Sequence, residues 1–169
     1  DLTMADLADD VAAVIRERVE GAATLVGHAF GNRVARMTAT EHPELVERVA
    51  LLCCGGMVPP APEVHEALVA VFDPDRSDAG HLEAVGKAFF APGNDPVVWV
   101  NGWHVGVAAA QRLANAGTPS IHWWAAGGRD ILVVQPVDDL VAVAENARRI
   151  VEDFDDRTTL VLVPEAGHA

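Results

Sequence analysis

The chain has 169 residues, 50% of them hydrophobic and 22% charged, with 25 acidic against 12 basic residues and a formal net charge of −13. That length and balance describe one globular domain and exclude a disordered chain. The acidic excess and the scattered Lys and Arg exclude nucleic acid or an anionic membrane surface as partner, and no apolar run approaches the ~20 residues of a membrane span.

Thr3 followed by Asp6 has the spacing of a capping box, and Met4, Leu7, Val11, Val14 and Ile15 recur at helical spacing. This predicts an amphipathic helix over residues 3–19, ended by Gly21. Residues 22–26 are apolar and β-prone, and they run without a spacer into Gly27-His28-Ala29-Phe30-Gly31 and then a helix with Val34, Met37 and Thr38 on its inner face. The segment reads as strand, tight corner and helix. A phosphate-binding turn would need G-x-G-x-x-G or a terminal Gly-Lys-Ser/Thr, and neither is present. His42-Pro43 stops the helix near Glu41, and residues 44–48 read as one short turn. Residues 49–53 form a strand without alternation, as expected of one buried on both faces of a parallel sheet. Cys53 and Cys54 end that strand. Adjacent cysteines make only strained disulfides, so two buried thiols and a reducing, cytoplasmic compartment are expected. No C-x-x-C, H-x-H or H-E-x-x-H occurs, so the spacing offers no metal site and no cofactor is expected. No signal peptide is visible in a chain that opens on Asp1.

Residues 55–62, Gly-Gly-Met-Val-Pro-Pro-Ala-Pro, interrupt the pattern. A helical region then runs to Gly117 in pieces separated at Asp73-Pro74, Pro92-Gly93 and Asp95-Pro96, and it carries Phe72, Phe89, Phe90, Trp99 and Trp103. Residues 121–126 read as a third strand closed by Gly127-Gly128. Residues 131–134 are β-branched but short and soon meet Pro136, so they read as a buried loop leading into a helix over residues 137–154. Residues 158–163 make a fourth strand. The alternation predicts an α/β fold with a parallel sheet of four strands. It is organised as a core part over residues 1–56, a helical insertion over 57–117 and a second core part over 118–169.

The corner Gly27-His28-Ala29-Phe30-Gly31 resembles the nucleophile elbow of the α/β-hydrolases, G-x-S-x-G, with Ala29 where that family has its serine. A methyl group cannot attack a carbonyl, so the elbow is present without its usual nucleophile. Gly127-Gly128-Arg129-Asp130 resembles the family's acid loop and Gly167-His168 its histidine loop, in the family's chain order. The resemblance implies a partial α/β-hydrolase fold with residues 57–117 as a cap, and Asp130 and His168 as the catalytic pair. It further implies the N–H of Phe30 as oxyanion donor, and a pocket lined by His28, Phe89, Phe90, Trp99 and Trp103 for a small, mostly apolar substrate such as an ester. Asp139 is the rival acid: if residues 131–134 were the strand, Asp139 would follow it and Asp130 would stand at the wrong end of the sheet.

Only the later strands of the family's core are recognisable, which implies a fragment or a chain completed by a partner. The first strand then becomes an open sheet edge, and self-association through it is expected. Two functions stay open: a hydrolase-like enzyme working through a dyad of His168 and Asp130 without a serine, and a catalytically silent relative that binds a small apolar ligand under the cap.

Overall fold

Helix and strand alternate along this chain because apolar β-branched runs are separated by amphipathic ones, and the runs assemble into one parallel sheet. In the computed structural model, residues 2–101 and 103–169 are described, and Asp1 and Gly102 lie outside the described residues. Strands β1 (Ala23–His28), β2 (Val46–Leu52), β3 (Asp130–Pro136) and β4 (Thr158–Val163) lie side by side in sequence order. Each neighbouring pair is parallel. Helix α1 (Met4–Arg18) precedes the sheet, and α2 (Phe30–Glu41) joins β1 to β2. Three helices, α3 (Pro62–Ala70), α4 (Asp78–Phe89) and α5 (Val105–Ala116), come between β2 and β3, and α6 (Ala144–Asp153) joins β3 to β4.

The capping box closes as its spacing predicts: the Asp6 N–H donates to Thr3 Oγ1 at 3.1 Å and the Thr3 N–H to Asp6 Oδ2 at 2.7 Å. The buried face of α1 is Met4, Ala8, Ala12 and Ile15. With Met37, Val49, Leu51, Ile131, Val133 and Ile150 these residues make the core around the sheet. Burying a side chain of this size typically contributes about 1.5–3 kcal/mol. A second apolar cluster, with Val71, Val85 and Phe89 at its centre, holds α3 to α4.

The third strand is not where the sequence puts it. Residues 121–126 form no strand; short 3₁₀ turns occupy Ser120–His122 and Ala126–Gly128. Ile121 is exposed, whereas Trp123 and Trp124 are buried. The two indoles turn inward onto the Arg36 guanidinium, whose carbon lies 4.5 Å and 4.9 Å from their ring centroids. That side chain is fully buried, which pushes its pKa down to about 10, and it also donates to the Gly55 carbonyl at 2.6 Å. Cation–π packing on one side and backbone carbonyls on the other compensate a cation that burial alone would disfavour. The run from Asp130 to Pro136 takes the sheet position instead. Its pairing with β2 ends at Val134, so Pro136, with no N–H to give, lies beyond that ladder and pairs only with β4.

Two further boundaries move. β2 begins at Val46 rather than Val49, directly after a 3₁₀ turn at Pro43–Leu45. The last helix begins at Ala144, because Asp139 accepts from the N–H groups of Val141 and Ala142 and holds residues 137–143 as a loop.

Among the described residues β1 has β2 on one side and no strand on the other. Val26 on it is 67% exposed, and neither proline nor charge protects the strand. Unpaired N–H and C=O groups along an apolar edge are a template for another strand. Light scattering after size exclusion is expected to give a mass above that of a monomer, and Val26→Lys to shift the chain towards monomer. A concentration-independent monomer for the unmodified chain would count against the edge as a contact surface.

Candidate active site

The corner after β1 has the geometry of an elbow. Ala29 sits at φ 52°, ψ −116°, a conformation costly for a residue with a Cβ, and its N–H donates to the Leu52 carbonyl at 3.1 Å. Gly27 is obligatory here, since a Cβ on it would stand 2.4 Å from the Gly31 carbonyl oxygen. Gly31 has nothing within 4 Å of its own Cβ position, so this structure gives no steric reason for the second glycine. Phe30 opens α2, and its N–H, like those of any first helical turn, has no intrahelical acceptor.

The histidine meets Asp139, not Asp130. His168 Nδ1 lies 3.0 Å and 2.9 Å from the two carboxylate oxygens of Asp139, and both residues are buried. The Val141 and Ala142 N–H groups also donate to Asp139 Oδ1, at 2.9 Å and 2.7 Å. A carboxylate held by two backbone donors cannot swing away. With Nδ1 donating to it, the imidazole keeps Nε2 free to take a proton. Asp130 is the first residue of β3, paired in register with Arg48, and it lines a cleft with Thr24, Arg48, Asp155 and Arg157 at the amino end of the sheet. The correction follows from the strand: once Asp130–Pro136 is β3, the loop beyond its carboxyl end carries Asp139.

The histidine loop is held by His28 and by the end of α4. The His168 carbonyl accepts from His28 Nε2 at 2.9 Å, and the two imidazoles lie 5.3 Å apart between centroids. The Ala169 N–H donates to the Phe89 carbonyl at 3.0 Å, and a Cβ on Gly167 would meet that same oxygen at 2.5 Å, so only glycine lets the loop approach the end of α4. Of the aromatic residues expected around a pocket, Phe89 comes nearest, 5.5 Å from the His168 ring, and it stacks on Trp103 at 5.4 Å. Trp99 stands 5.9 Å from Trp103, and Phe90 is 5.7 Å from Trp99. A separate apolar groove of about 550 Å³ runs beside β1 and α2, lined by Leu7, Leu25, Phe30 and Val107 among others, and its lining includes neither His168 nor Asp139.

Two further residues matter here: Gln135, which the sequence analysis did not single out, and Cys53, which it placed only as a buried thiol. Gln135, buried in β3, accepts from the Cys54 N–H at 3.0 Å and donates to the Ala142 carbonyl at 2.8 Å, which ties the turn after β2 to the Asp139 loop. A lone amide inside an apolar strand was the available signal. Cys53, at φ 57°, brings its thiol within 3.5 Å of the His168 carbonyl. Burial first, and then the Asp139 carboxylate, push that thiol far above the ordinary cysteine range. Both cysteines are free and buried. One donor atom each from Cys53, Asp139 and His168 lie within 4.8 Å of one another, a set of residue types that could hold a metal ion.

A parallel sheet in this order, with a strained elbow after one strand and a His–Asp contact across two later loops, is a partial α/β-hydrolase fold. Among solved structures, BpoC of Mycobacterium tuberculosis H37Rv, named as a non-heme bromoperoxidase, matches at a TM-score of 0.72 and 20% identity, over 99% of this chain and 67% of its own. A serine-to-alanine variant of the meta-cleavage product hydrolase from Pseudomonas fluorescens IP01, complexed with acetates, matches at 0.72 and 20%, over 99% and 65%. E-2-(acetamidomethylene)succinate hydrolase matches at 0.69 and 20%, over 99% and 68%. The chain thus spans about two-thirds of these proteins. No protein-family profile and no curated protein matches it by sequence. No helix among the described residues is long and apolar enough to cross a membrane.

Proposed function

We propose that this chain carries the acid–base half of a hydrolase centre and acts on a small, mostly apolar ester-like substrate without a nucleophile on its elbow. The observation that supports this most is the buried His168–Asp139 contact, with both carboxylate oxygens within 3.0 Å of Nδ1. A pair kept only for packing would not need a carboxylate oriented by two backbone donors as well.

The chemistry follows from those positions. His168 Nε2 takes a proton from a water molecule, whose oxygen attacks the ester carbonyl. Asp139 stabilises the imidazolium that results, and the Phe30 N–H meets the oxygen on which charge develops. The imidazolium then returns its proton to the departing alcohol. The helices from residue 57 to 117 act as a cap, and Phe89 and Trp103, with Trp99, Phe90 and His28 beyond them, supply the apolar wall. General-base assistance of this kind contributes a factor of roughly 10²–10⁴, well short of a full serine mechanism.

The test is turnover of p-nitrophenyl acetate by the unmodified chain and by His168→Ala. Slow turnover above buffer that falls to background in the variant is expected; equal rates in the two would overturn the proposal. The aromatic wall beside an elbow that carries Ala29 also favours a second reading, a silent binder of small apolar ligands. In that case such a ligand would quench Trp99 and Trp103 fluorescence saturably while no ester is turned over.

A further inference from the structure

The Cys53 thiol plays no part in that mechanism, yet it sits among the mechanism's groups. Cys53 directly follows β2, Asp139 lies in the loop after β3 and His168 in the loop after β4, so three adjacent strands deliver a sulfur, an oxygen and a nitrogen donor to one place at the carboxyl end of the sheet. All three residues are buried, and one donor atom of each lies within 4.8 Å of the other two. The left-handed φ of 57° at Cys53, unusual for a residue with a side chain, accompanies the approach of its sulfur to the His168 carbonyl. Cys54 offers nothing comparable, because it lies beside the guanidinium groups of Arg33 and Arg36, which repel a cation.

We propose that Cys53, Asp139 and His168 form a binding site for a thiophilic divalent cation of the zinc class, and that its occupation switches the dyad off. The donor types suit such an ion: thiolate, imidazole and carboxylate are its ordinary protein ligands, at about 2.0–2.3 Å from the metal. Ligand atoms around a tetrahedral ion of that size stand on the order of 3–4 Å apart. The Asp139–His168 pair is already at that separation, and the sulfur has to close by on the order of 1 Å. Charge balances too, since one thiolate and one carboxylate offset a dication and leave a neutral buried site. On binding, the sulfur–hydrogen bond breaks, the proton leaves to solvent and the sulfur–metal bond forms. The imidazole shifts its proton from Nδ1 to Nε2, and the metal takes the freed Nδ1 and a carboxylate oxygen, the two atoms the dyad otherwise uses together; with Nε2 protonated the ring no longer acts as a base. The donors are separated by 86 and 29 residues along the chain, which is why no ligand spacing is visible in the sequence.

Binding at this site does not depend on the proposed ester hydrolysis; only the switching does, and two readouts separate them. The first is a Co²⁺ titration of the full chain in a phosphine-reduced buffer. One equivalent is expected to produce a near-ultraviolet thiolate-to-cobalt charge-transfer band that Zn²⁺ abolishes. The band should vanish in Cys53→Ser and persist in Cys54→Ser. Since the chain has two cysteines, the Cys54→Ser protein assigns the thiolate even if Cys53→Ser fails to fold. No band at one equivalent, or a band lost in Cys54→Ser, overturns the site. The second readout is p-nitrophenyl acetate turnover, expected to fall over the Zn²⁺ range that displaces Co²⁺. Turnover unaffected by saturating Zn²⁺ overturns the switch while leaving the site.

Discussion

Asp139→Asn is expected to lower ester turnover by roughly 10²–10⁴-fold, the range typical of a lost orienting group in acid–base catalysis, while Asp130→Asn leaves it unchanged. The amide keeps a carbonyl oxygen that can still accept from the Val141 and Ala142 N–H groups, so the loop survives. Its NH₂ would then face His168 Nδ1, donor against donor, unless the imidazole moves its proton to Nε2 and loses its capacity as a base. Asp130, exposed at the amino end of β3, meets no part of the dyad. kcat/KM for p-nitrophenyl acetate, with melting temperatures as the control for folding, decides between the two acids. A large loss in Asp130→Asn with none in Asp139→Asn would reverse the assignment.

Ala29→Ser is expected to raise ester turnover by a factor of roughly 10² or more, as a positioned nucleophile with a base and an oxyanion donor typically does. The backbone at position 29 already has the strained φ and ψ of an elbow, so the added hydroxyl needs no change of the main chain. Serine in place of alanine adds one oxygen at a site that is not fully buried. The hydroxyl forms an acyl-enzyme, so the signature is a burst of p-nitrophenol and an acetyl adduct by mass spectrometry, both absent from the unmodified chain. His168→Ala in the Ala29→Ser background should remove most of the gain. Equal rates for the unmodified chain and Ala29→Ser would mean that position 29 is not a nucleophile seat.

How much of this was legible in the sequence depends on how local the cause is. The capping box at Thr3 and Asp6 and the steric demand for Gly27 involve residues within four positions of each other, and both appear in the structure as their spacing implies. The sequential, parallel order of the sheet and the sharp corner at Ala29 were readable for a similar reason: apolar runs and a glycine corner carry their own signals. Gly31 shows the limit of a motif, since the pattern includes it but no atom here crowds it.

The third strand could not be decided locally. Residues 121–126 and 131–134 are both short, apolar and flanked by turn residues, and such runs are ambiguous to any periodicity argument. What separated them is a contact from far along the chain, the buried Arg36 guanidinium that draws Trp123 and Trp124 out of any strand and onto α2. With the strand moves the acid, because a carboxylate reaches the histidine only from the loop beyond a strand's carboxyl end, and that loop carries Asp139 and not Asp130. The same convergence brought Cys53 to the pair. The sequence by itself determined the class of fold and the glycine corner with Ala29 at its centre; which carboxylate His168 meets, and the sulfur beside that pair, were decided only by tertiary packing, since strand ends meet through space and not along the chain.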